Sequence, residues 1–154
     1  MEYGKLEREI EINASPATVF EVITSPAHLT NWWPDEALIE PTPGAVGELI
    51  FGDRSSPEAH VAQITVVEAE PPRLFSFRWV SPEGEDARED NSLLVTFELH
   101  ARGDGTLLRM TETGFREKGW GAAVLEQQYR DHREGWDHFL SRLASYAPTV
   151  EVSS

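Results

Sequence analysis

The longest periodic pattern in the chain is an apolar stripe near its C-terminal end, from about Gly119 to Ala147. At 3.6 residues per turn, its apolar and aromatic members fall within about 60° either side of one line. These members are Leu125, Tyr129, His132, Trp136, Phe139, Leu140 and Leu143. The opposite face carries polar residues, which are Arg130, Glu134, Asp137 and Ser141. Because Pro148 cannot continue a helix, the pattern predicts one long amphipathic helix that stops near Ala147.

Most of the chain before this helix alternates with a period of two, which indicates strands. The first of them has Leu6 and Ile12 on one face and glutamates on the other, so it is expected to have one solvated, acidic face. Turn signals such as Pro43-Gly44 and Gly103-Asp104-Gly105 separate the later ones. The predicted strands are residues 5–13, 38–40, 46–51, 60–67, 74–80, 93–100 and 106–113.

Two short helices are predicted between the first and second strands. Ser15-Pro16 and Ser25-Pro26 each combine an N-cap residue with proline at the first helical position. The second helix runs through Trp32-Trp33 and is stopped by Pro34. Helices are thus segregated from a meandering antiparallel sheet, so the fold class is α+β. A sheet of this length curls, and the long helix is expected in its concave side. We expect a single domain over residues 1–148, followed by a tail over 149–154.

Four short stretches, taken in order, resemble one known family. They are residues 23–29 with Trp32-Trp33, residues 70–79, residues 105–115, and Gly135-Trp136 with Phe139, Leu140 and Leu143. The chain is similar here to the SRPBCC (START-like) superfamily, and specifically to the group named after the C-terminal domain of the activator of Hsp90 ATPase. The resemblance implies a helix-grip (START/Bet v1-like) fold: a curved antiparallel sheet wrapped around a long C-terminal helix, with two short helices. That superfamily includes lipid and polyketide binders and aromatase/cyclases, so the resemblance implies a pocket and not a reaction.

The charge balance excludes some partners. The chain has 13 Lys and Arg against 27 Asp and Glu, which gives a formal charge of −14. Binding to nucleic acid or to an anionic membrane needs clustered cations, so neither partner is expected. No apolar run is long enough to insert into a bilayer, and the charged N-terminus lacks the apolar core of a signal peptide. We therefore expect a cytoplasmic protein, and the sequence leaves a homodimer open.

No metal or cofactor is expected either. The chain has no cysteine, and its five histidines do not form a recognised pair of ligands. His132 and His138 are six residues apart and face different sides of a helix. No glycine-rich phosphate loop and no Gly-x-Ser-x-Gly elbow is present.

Twelve residues are candidates for contact with a small ligand. Trp32 and Trp33 either plug the end of the sheet, which is the commoner role, or stand at the mouth of a cavity and stack on a flat ligand. Phe51, Phe77, Trp79, Phe97 and Met110 alternate along strands and either pack on the helix or line a void. The others are Glu112 and four residues of the helix, Leu125, Tyr129, His132 and Trp136.

His132 is the most informative polar residue, because it lies in the middle of the apolar stripe. It is either a core histidine bonded to a strand or a group that donates to a ligand carbonyl or acts as general base. Tyr129 offers a hydroxyl on the same face. Glu112 shares strand parity with Met110. If that face is inward, its partner is His132 or Arg78; an outward surface position is favoured, because carboxylates are seldom buried.

Three functions remain open at this stage. The leading one is the binding of a small hydrophobic or aromatic molecule in a cavity between the sheet and the C-terminal helix. An alternative is a cofactor-free enzyme of polyketide cyclase/aromatase or hydrolase type that uses His132, Tyr129 and Glu112 in the same cavity. The third is a protein-interaction module, including a chaperone-associated one, which would need an exposed apolar patch.

Overall fold

One antiparallel sheet organises the computed structural model, which describes residues 5–40, 42–52, 60–79, 92–115 and 121–150. The strands in this part of the chain are β1 (Lys5–Ile12), β2 (Glu36–Leu38), β3 (Val46–Phe51), β4 (His60–Glu70), β5 (Leu74–Trp79), β6 (Leu93–Arg102) and β7 (Gly105–Thr113). Their order across the sheet is β1-β7-β6-β5-β4-β3-β2. The strands from β2 to β7 therefore form a meander, and β1 pairs with the last of them. The α+β class and the helix-grip arrangement are confirmed.

The predicted helices are also present, but the prediction that the second runs through Trp32-Trp33 is wrong: it ends at Leu29, and both tryptophans lie in the turn that follows. The helices are α1 (Pro16–Thr24), α2 (Pro26–Leu29) and α3 (Ala122–Tyr146). The Ser15 side chain accepts a hydrogen bond from the backbone N–H of Thr18, which confirms it as the N-cap of α1. Helix α3 gives way at Tyr146 to a short 3-10 turn, Ala147–Thr149, that contains the predicted stop, Pro148. The predicted start near Gly119 lies outside the described residues.

Alternating side chains give the sheet two distinct faces. In β1, Leu6 and Ile12 are buried, whereas the glutamates between them are exposed. Two of these glutamates, Glu9 and Glu11, pair with Arg109 and Arg102 on the outer face at 2.9 Å. The acidic, solvated face predicted for the first strand is therefore confirmed. Exposed pairs of this kind contribute little to stability, so burial of the inner face holds the sheet in place.

A cluster of aromatic rings fills the space between the inner face, the short helices and the C-terminal half of α3. Trp33 is at its centre and is 7% exposed. Its neighbours, with ring centroids 5.0–6.0 Å away, are Trp32, Phe51, Phe77, Trp79 and Trp136. Such offset and edge-to-face contacts add to the stability that burial gives. Two members of this cluster, Trp79 and Trp136, also donate hydrogen bonds to a polar residue on the inner face of the sheet.

Candidate functional site

Glu112 is a fully buried carboxylate on the inner face of β7, with 0% of the residue exposed. The favoured expectation that it lies on the surface is wrong. It accepts hydrogen bonds from Trp79 Nε1 at 2.7 Å and from Trp136 Nε1 at 3.0 Å. Its Oε1 also lies 2.9 Å from Nδ1 of His132. A carboxylate can be buried when N–H donors replace the water that it loses, and three donors do so here.

The alternation of β7 explains how this residue came to face inward. Leu108 and Met110 precede it on the same side of the strand, and both are fully buried. Its cross-strand neighbours are Leu6 on β1 and Val95 on β6, which are apolar and buried. The two residues paired directly with Glu112 across the sheet therefore offer its side chain no hydrogen bond. Its donors come instead from Trp79, at the end of β5, and from α3. Of the two partners expected for an inward Glu112, the structure selects His132.

The contact with Glu112 fixes the proton of His132. A carboxylate only accepts, so Nδ1 of the imidazole carries the hydrogen and donates it. In the neutral ring the other nitrogen, Nε2, is then a bare acceptor. The His132 side chain is 14% exposed. In the part of the chain that the structure describes, the only buried side-chain polar atom without a partner is Ser76 Oγ, so Nε2 of His132 is not sealed in the core.

Two aromatic rings hold the imidazole in place. The ring of Trp79 lies 5.6 Å from that of His132, and the ring of Phe115 lies 5.5 Å away, both edge-to-face. Phe115 is fully buried and was not among the candidate residues. Its signal in the sequence is the preceding Gly114, which has a φ of +105° and whose Cβ position would be 2.7 Å from Ser92 O. Only glycine tolerates both conditions, so the turn that places Phe115 under α3 depends on it.

Tyr129 and Leu125 continue the site along α3 toward its N-terminus. Both are half-buried and pack against the core, and the ring of Tyr129 lies 5.4 Å from that of Phe115. The Tyr129 hydroxyl donates to the backbone carbonyl of Lys5 at 3.1 Å. Its proton therefore ties α3 to β1. The predicted role of this hydroxyl in contacting a ligand would have to use the oxygen as an acceptor.

The remaining candidates lie deeper. Trp32 is fully buried, and its Nε1 donates to the backbone carbonyl of Val22 at 3.1 Å. Phe77, Phe97 and Met110 are likewise buried in the same core, and Phe51 packs against it. Five of the twelve candidates form one connected group: Trp79, His132 and Trp136 bond to Glu112, and Tyr129 joins them through the ring of Phe115. Leu125 packs against the core near the start of α3, and the other six candidates lie in the core or pack against it.

Two open surface depressions are lined by other residues. One, of about 540 Å³, lies at the turn between β6 and β7 and is lined by residues that include Glu11, Arg102 and Asp104. The second, of about 240 Å³, lies on β2, β3 and β4 and includes Leu38 and Val46. Among the described residues, no cluster of three or more His, Asp or Glu side chains could hold a metal ion. None of the described helices has both the length and the hydrophobicity needed to cross a bilayer.

Comparison with known proteins gives one family. The family model described as Activator of Hsp90 ATPase homolog 1-like protein matches residues 13–147. No curated protein matches the chain.

Solved structures share the fold at low sequence identity. Protein MLL2253 from Mesorhizobium loti is 20% identical with a TM-score of 0.75, and the match covers 96% of this chain and 99% of that one. DynU16, a protein of the dynemicin biosynthetic locus, is 24% identical with a TM-score of 0.72, over 95% of this chain and 48% of its own. The Aha1 dimer from Colwellia psychrerythraea is 17% identical with a TM-score of 0.69, over 92% and 93% of the two chains. At these identities the likeness establishes the fold alone.

Proposed function

The chain belongs to the Activator of Hsp90 ATPase homolog 1-like family, and from that premise we propose that it binds a small hydrophobic or aromatic molecule beside His132. The binding position is between the sheet and the N-terminal half of α3. One observation carries the proposal: Nε2 of His132 has no partner among the described residues, while Nδ1 is held by a buried carboxylate. The His132 side chain is 14% exposed, so Nε2 faces solvent at the edge of the core, where a donor group of a ligand can replace water.

The ligand contacts proposed here are a subset of the twelve candidates. The rings of Trp79 and Tyr129 and the side chain of Leu125 supply apolar walls, and His132 supplies the polar contact. The fully buried ring of Phe115 supports Tyr129 and His132 from the core. Trp32 and Trp33, in the turn after α2, support these walls from behind, because the ring of Trp33 already contacts five other rings. A ligand could stack on Trp33 only by displacing one of them.

The state of His132 also selects the polar group of the ligand. Because Nδ1 donates to Glu112, the neutral imidazole accepts at Nε2 and favours an O–H or N–H donor over the carbonyl that the sequence suggested. The formal charge of −14 disfavours anionic ligands. We therefore propose a neutral, flat molecule with a hydroxyl or N–H group. DynU16, which shares the fold, is a protein of the dynemicin biosynthetic locus, and a role in handling the molecules of such a locus fits this proposal.

A protein-interaction role is favoured less. The exposed large apolar side chains of the described residues are Leu38, Val46, Val61, Val67 and Val124. Near the sheet edge, Glu48 pairs with both Leu38 and Gln63 and so places polar groups between Leu38 and β4. A docking patch would need a contiguous apolar area. A homodimer, as in the Colwellia protein, would leave the His132 proposal unchanged.

Two matched probes test the proposal. 2-Naphthol has a hydroxyl donor, and 2-methoxynaphthalene has nearly the same shape without one. Calorimetric titration should show 2-naphthol binding about five-fold more tightly, because a neutral hydrogen bond contributes about 1 kcal/mol. His132→Leu should remove this preference, whereas His138→Leu, an exposed histidine of the same helix, should keep it.

The outcomes separate clearly. Binding of neither probe would overturn the ligand proposal. Binding of both with equal affinity to the parent protein would overturn the role of Nε2. A preference that survives in His132→Leu would show that the hydroxyl is recognised elsewhere.

A further inference from the structure

We infer that Glu112 and His132 form a general-base dyad that removes a proton from carbon next to the carbonyl of a bound ketone. This inference rests on the proposed ligand site and adds a reaction to it. Three features carry it. The Glu112 carboxylate is buried, the His132 imidazole is held in one orientation, and Nε2, the nitrogen that would take the proton, has no partner among the described residues.

The carboxylate is fixed independently of the histidine. Trp79 Nε1 donates to Oε2 and Trp136 Nε1 donates to Oε1, so both oxygens are held even without His132. One donor comes from β5 and the other from α3, and Glu112 itself is on β7. Catalytic groups work best when packing and hydrogen bonds fix them before the substrate arrives. Glu112 is therefore a positioning residue that orients His132.

The imidazole has a fixed tautomer and a fixed plane. Its Nδ1 lies 2.9 Å from Oε1 of Glu112, and the rings of Trp79 and Phe115 contact it edge-to-face. When Nε2 takes a proton, the resulting imidazolium faces a carboxylate that has no access to water. Attraction between opposite charges is stronger in such surroundings than in water. This is the arrangement by which a carboxylate supports histidine as general base in hydrolytic triads.

A histidine that served only to satisfy Glu112 would not need an open second nitrogen. The two indole donors already give Glu112 a partner on each oxygen. An apolar residue at this position of α3 would complete the stripe at lower cost, because a half-buried polar ring gains less from burial. The open Nε2 is reached by solvent, because the side chain is 14% exposed, and it is therefore the nitrogen that a substrate can reach.

The proton transfer balances without a further reactant. The Nε2 lone pair forms an N–H bond with the proton on the carbon next to the carbonyl. The electron pair of the broken C–H bond becomes the C=C bond of an enolate, and the carbonyl π pair moves to oxygen. The imidazolium then returns a proton to the same carbon, which restores the ketone and, in D₂O, gives isotope exchange. The substrate class is a neutral ketone with an acidic C–H beside an aromatic ring, since the walls of the site are aromatic. The ketone itself has no hydroxyl, but its enol carries the O–H donor that Nε2 is proposed to accept.

2-Tetralone is a suitable probe, because its benzylic C–H lies next to the carbonyl and 2-naphthol resembles its enol. The experiment measures deuterium incorporation into 2-tetralone in D₂O by proton NMR, on the full chain. The parent protein and the His138→Gln control should exchange the benzylic position about 100-fold faster than His132→Gln. Glu112→Gln should lower kcat about 10-fold or more and leave KM nearly unchanged. Binding of 2-tetralone and of 2-naphthol is measured by calorimetry on the same samples.

A rescue experiment protects the result against loss of fold. In His132→Ala, added imidazole should restore part of the exchange rate. The removed ring leaves a gap, and imidazole can enter it from solvent because the His132 side chain is 14% exposed. A purely structural role of His132 would not respond to imidazole.

The outcomes keep the two proposals apart. Binding of 2-tetralone with no exchange above that of His132→Gln overturns the dyad and leaves the ligand site standing. Failure of both probes to bind overturns both. Exchange that is equal in the parent and in His132→Gln assigns the activity to another group and also overturns the dyad.

Discussion

The two halves of α3 meet the sheet in different ways. In the described structure, none of residues 122–135 is buried, and this half reaches the sheet through polar contacts from Tyr129 and His132. The half from residue 136 onward buries Trp136, Leu140 and Leu143 in the main core. One half of the helix is therefore anchored by fully buried apolar side chains, and the other by directed hydrogen bonds together with the half-buried packing of Leu125 and Tyr129.

The difference shows how a single helix can serve both stability and function. The C-terminal half supplies the large apolar area that outweighs the entropy of ordering a helix of 25 residues. Because the C-terminal half already holds the helix on the sheet, the polar groups of the N-terminal half do not have to be buried. A histidine can then keep one nitrogen open at the edge of the core. The predictions below alter one half, the other, or the junction between them.

The largest effect is expected at the junction, for Trp136→Ala. This residue is 3% exposed, and its ring lies 5.0 Å from that of Trp33. Removal of a buried tryptophan should lower the free energy of unfolding by about 3–5 kcal/mol, measured by urea denaturation. Trp136→Phe is the matched control, because it keeps a ring but loses the N–H that Glu112 accepts, and it should cost less. A loss within about 1 kcal/mol for Trp136→Ala would mean that the anchor is elsewhere.

Leu143→Ala should lower stability almost as much but leave the ligand site intact. Leu143 is fully buried in the anchored half, and comparable changes cost about 2–5 kcal/mol. At a temperature where the variant is folded, its affinity for 2-naphthol should match that of the parent protein. A large loss of affinity would contradict the independence of the two halves.

Glu112→Gln should cost about 1–3 kcal/mol and act mainly on the N-terminal half. Both oxygens of Glu112 accept from N–H donors, so an amide must turn its NH₂ toward at least one of them. Amide hydrogen exchange should accelerate in residues 126–135 more than in residues 140–146. Glu134→Gln, an exposed acid on the same helix, removes the same charge and should change neither quantity.

The smallest effect is expected from the ion pair that links β1 to α3. Arg8 Nε lies 2.6 Å from Oδ1 of Asp137, and both side chains are substantially exposed. This hydrogen bond to Asp137 raises the pKa of Arg8 above its ordinary value. The stability that charged Arg8 contributes is thus fully present below its ordinary pKa and is lost only as pH rises through the raised pKa. Titration of Arg8 therefore causes no change in stability near neutral pH.

A double-mutant cycle of Arg8→Met and Asp137→Asn measures this pair. The coupling energy should be about 0.2–1 kcal/mol and should fall in 1 M salt. A coupling above about 2 kcal/mol that resists salt would mean that this ion pair, at the junction of the two halves, anchors α3 to β1 more firmly than its exposure indicates.

Local patterns were sufficient to predict most of the fold. The period of two in β1 and β7, the Ser15-Pro16 helix start and the stripe from Leu125 to Leu143 depend on residues close together in the chain. Each of these was read from the sequence because the backbone geometry repeats over a few residues. The parity of Glu112 with Met110 was read in the same way.

The candidate site was only half predicted. His132, Tyr129 and Trp136 followed from the stripe, but Glu112 was favoured on the surface, and Phe115 was not a candidate. The donors that allow Glu112 to be buried lie 20, 24 and 33 residues away in sequence. No local pattern reports whether a carboxylate will find such donors. The contact between Nδ1 of His132 and Glu112 also decides that Nε2 is the nitrogen left open.

The sequence by itself determined the strands and helices, their order, the alternation of side chains along each strand and the position of His132 on the helix. These properties follow from side-chain periodicity and turn chemistry, which act over short distances along the chain. Only the tertiary structure decided that Trp33 is packed among five rings, that Glu112 is buried, and that the imidazole donates to it through Nδ1. The physical reason is that burial of a charge depends on hydrogen-bond donors brought from β5 and α3, and their meeting with β7 is a property of the folded sheet and helix together.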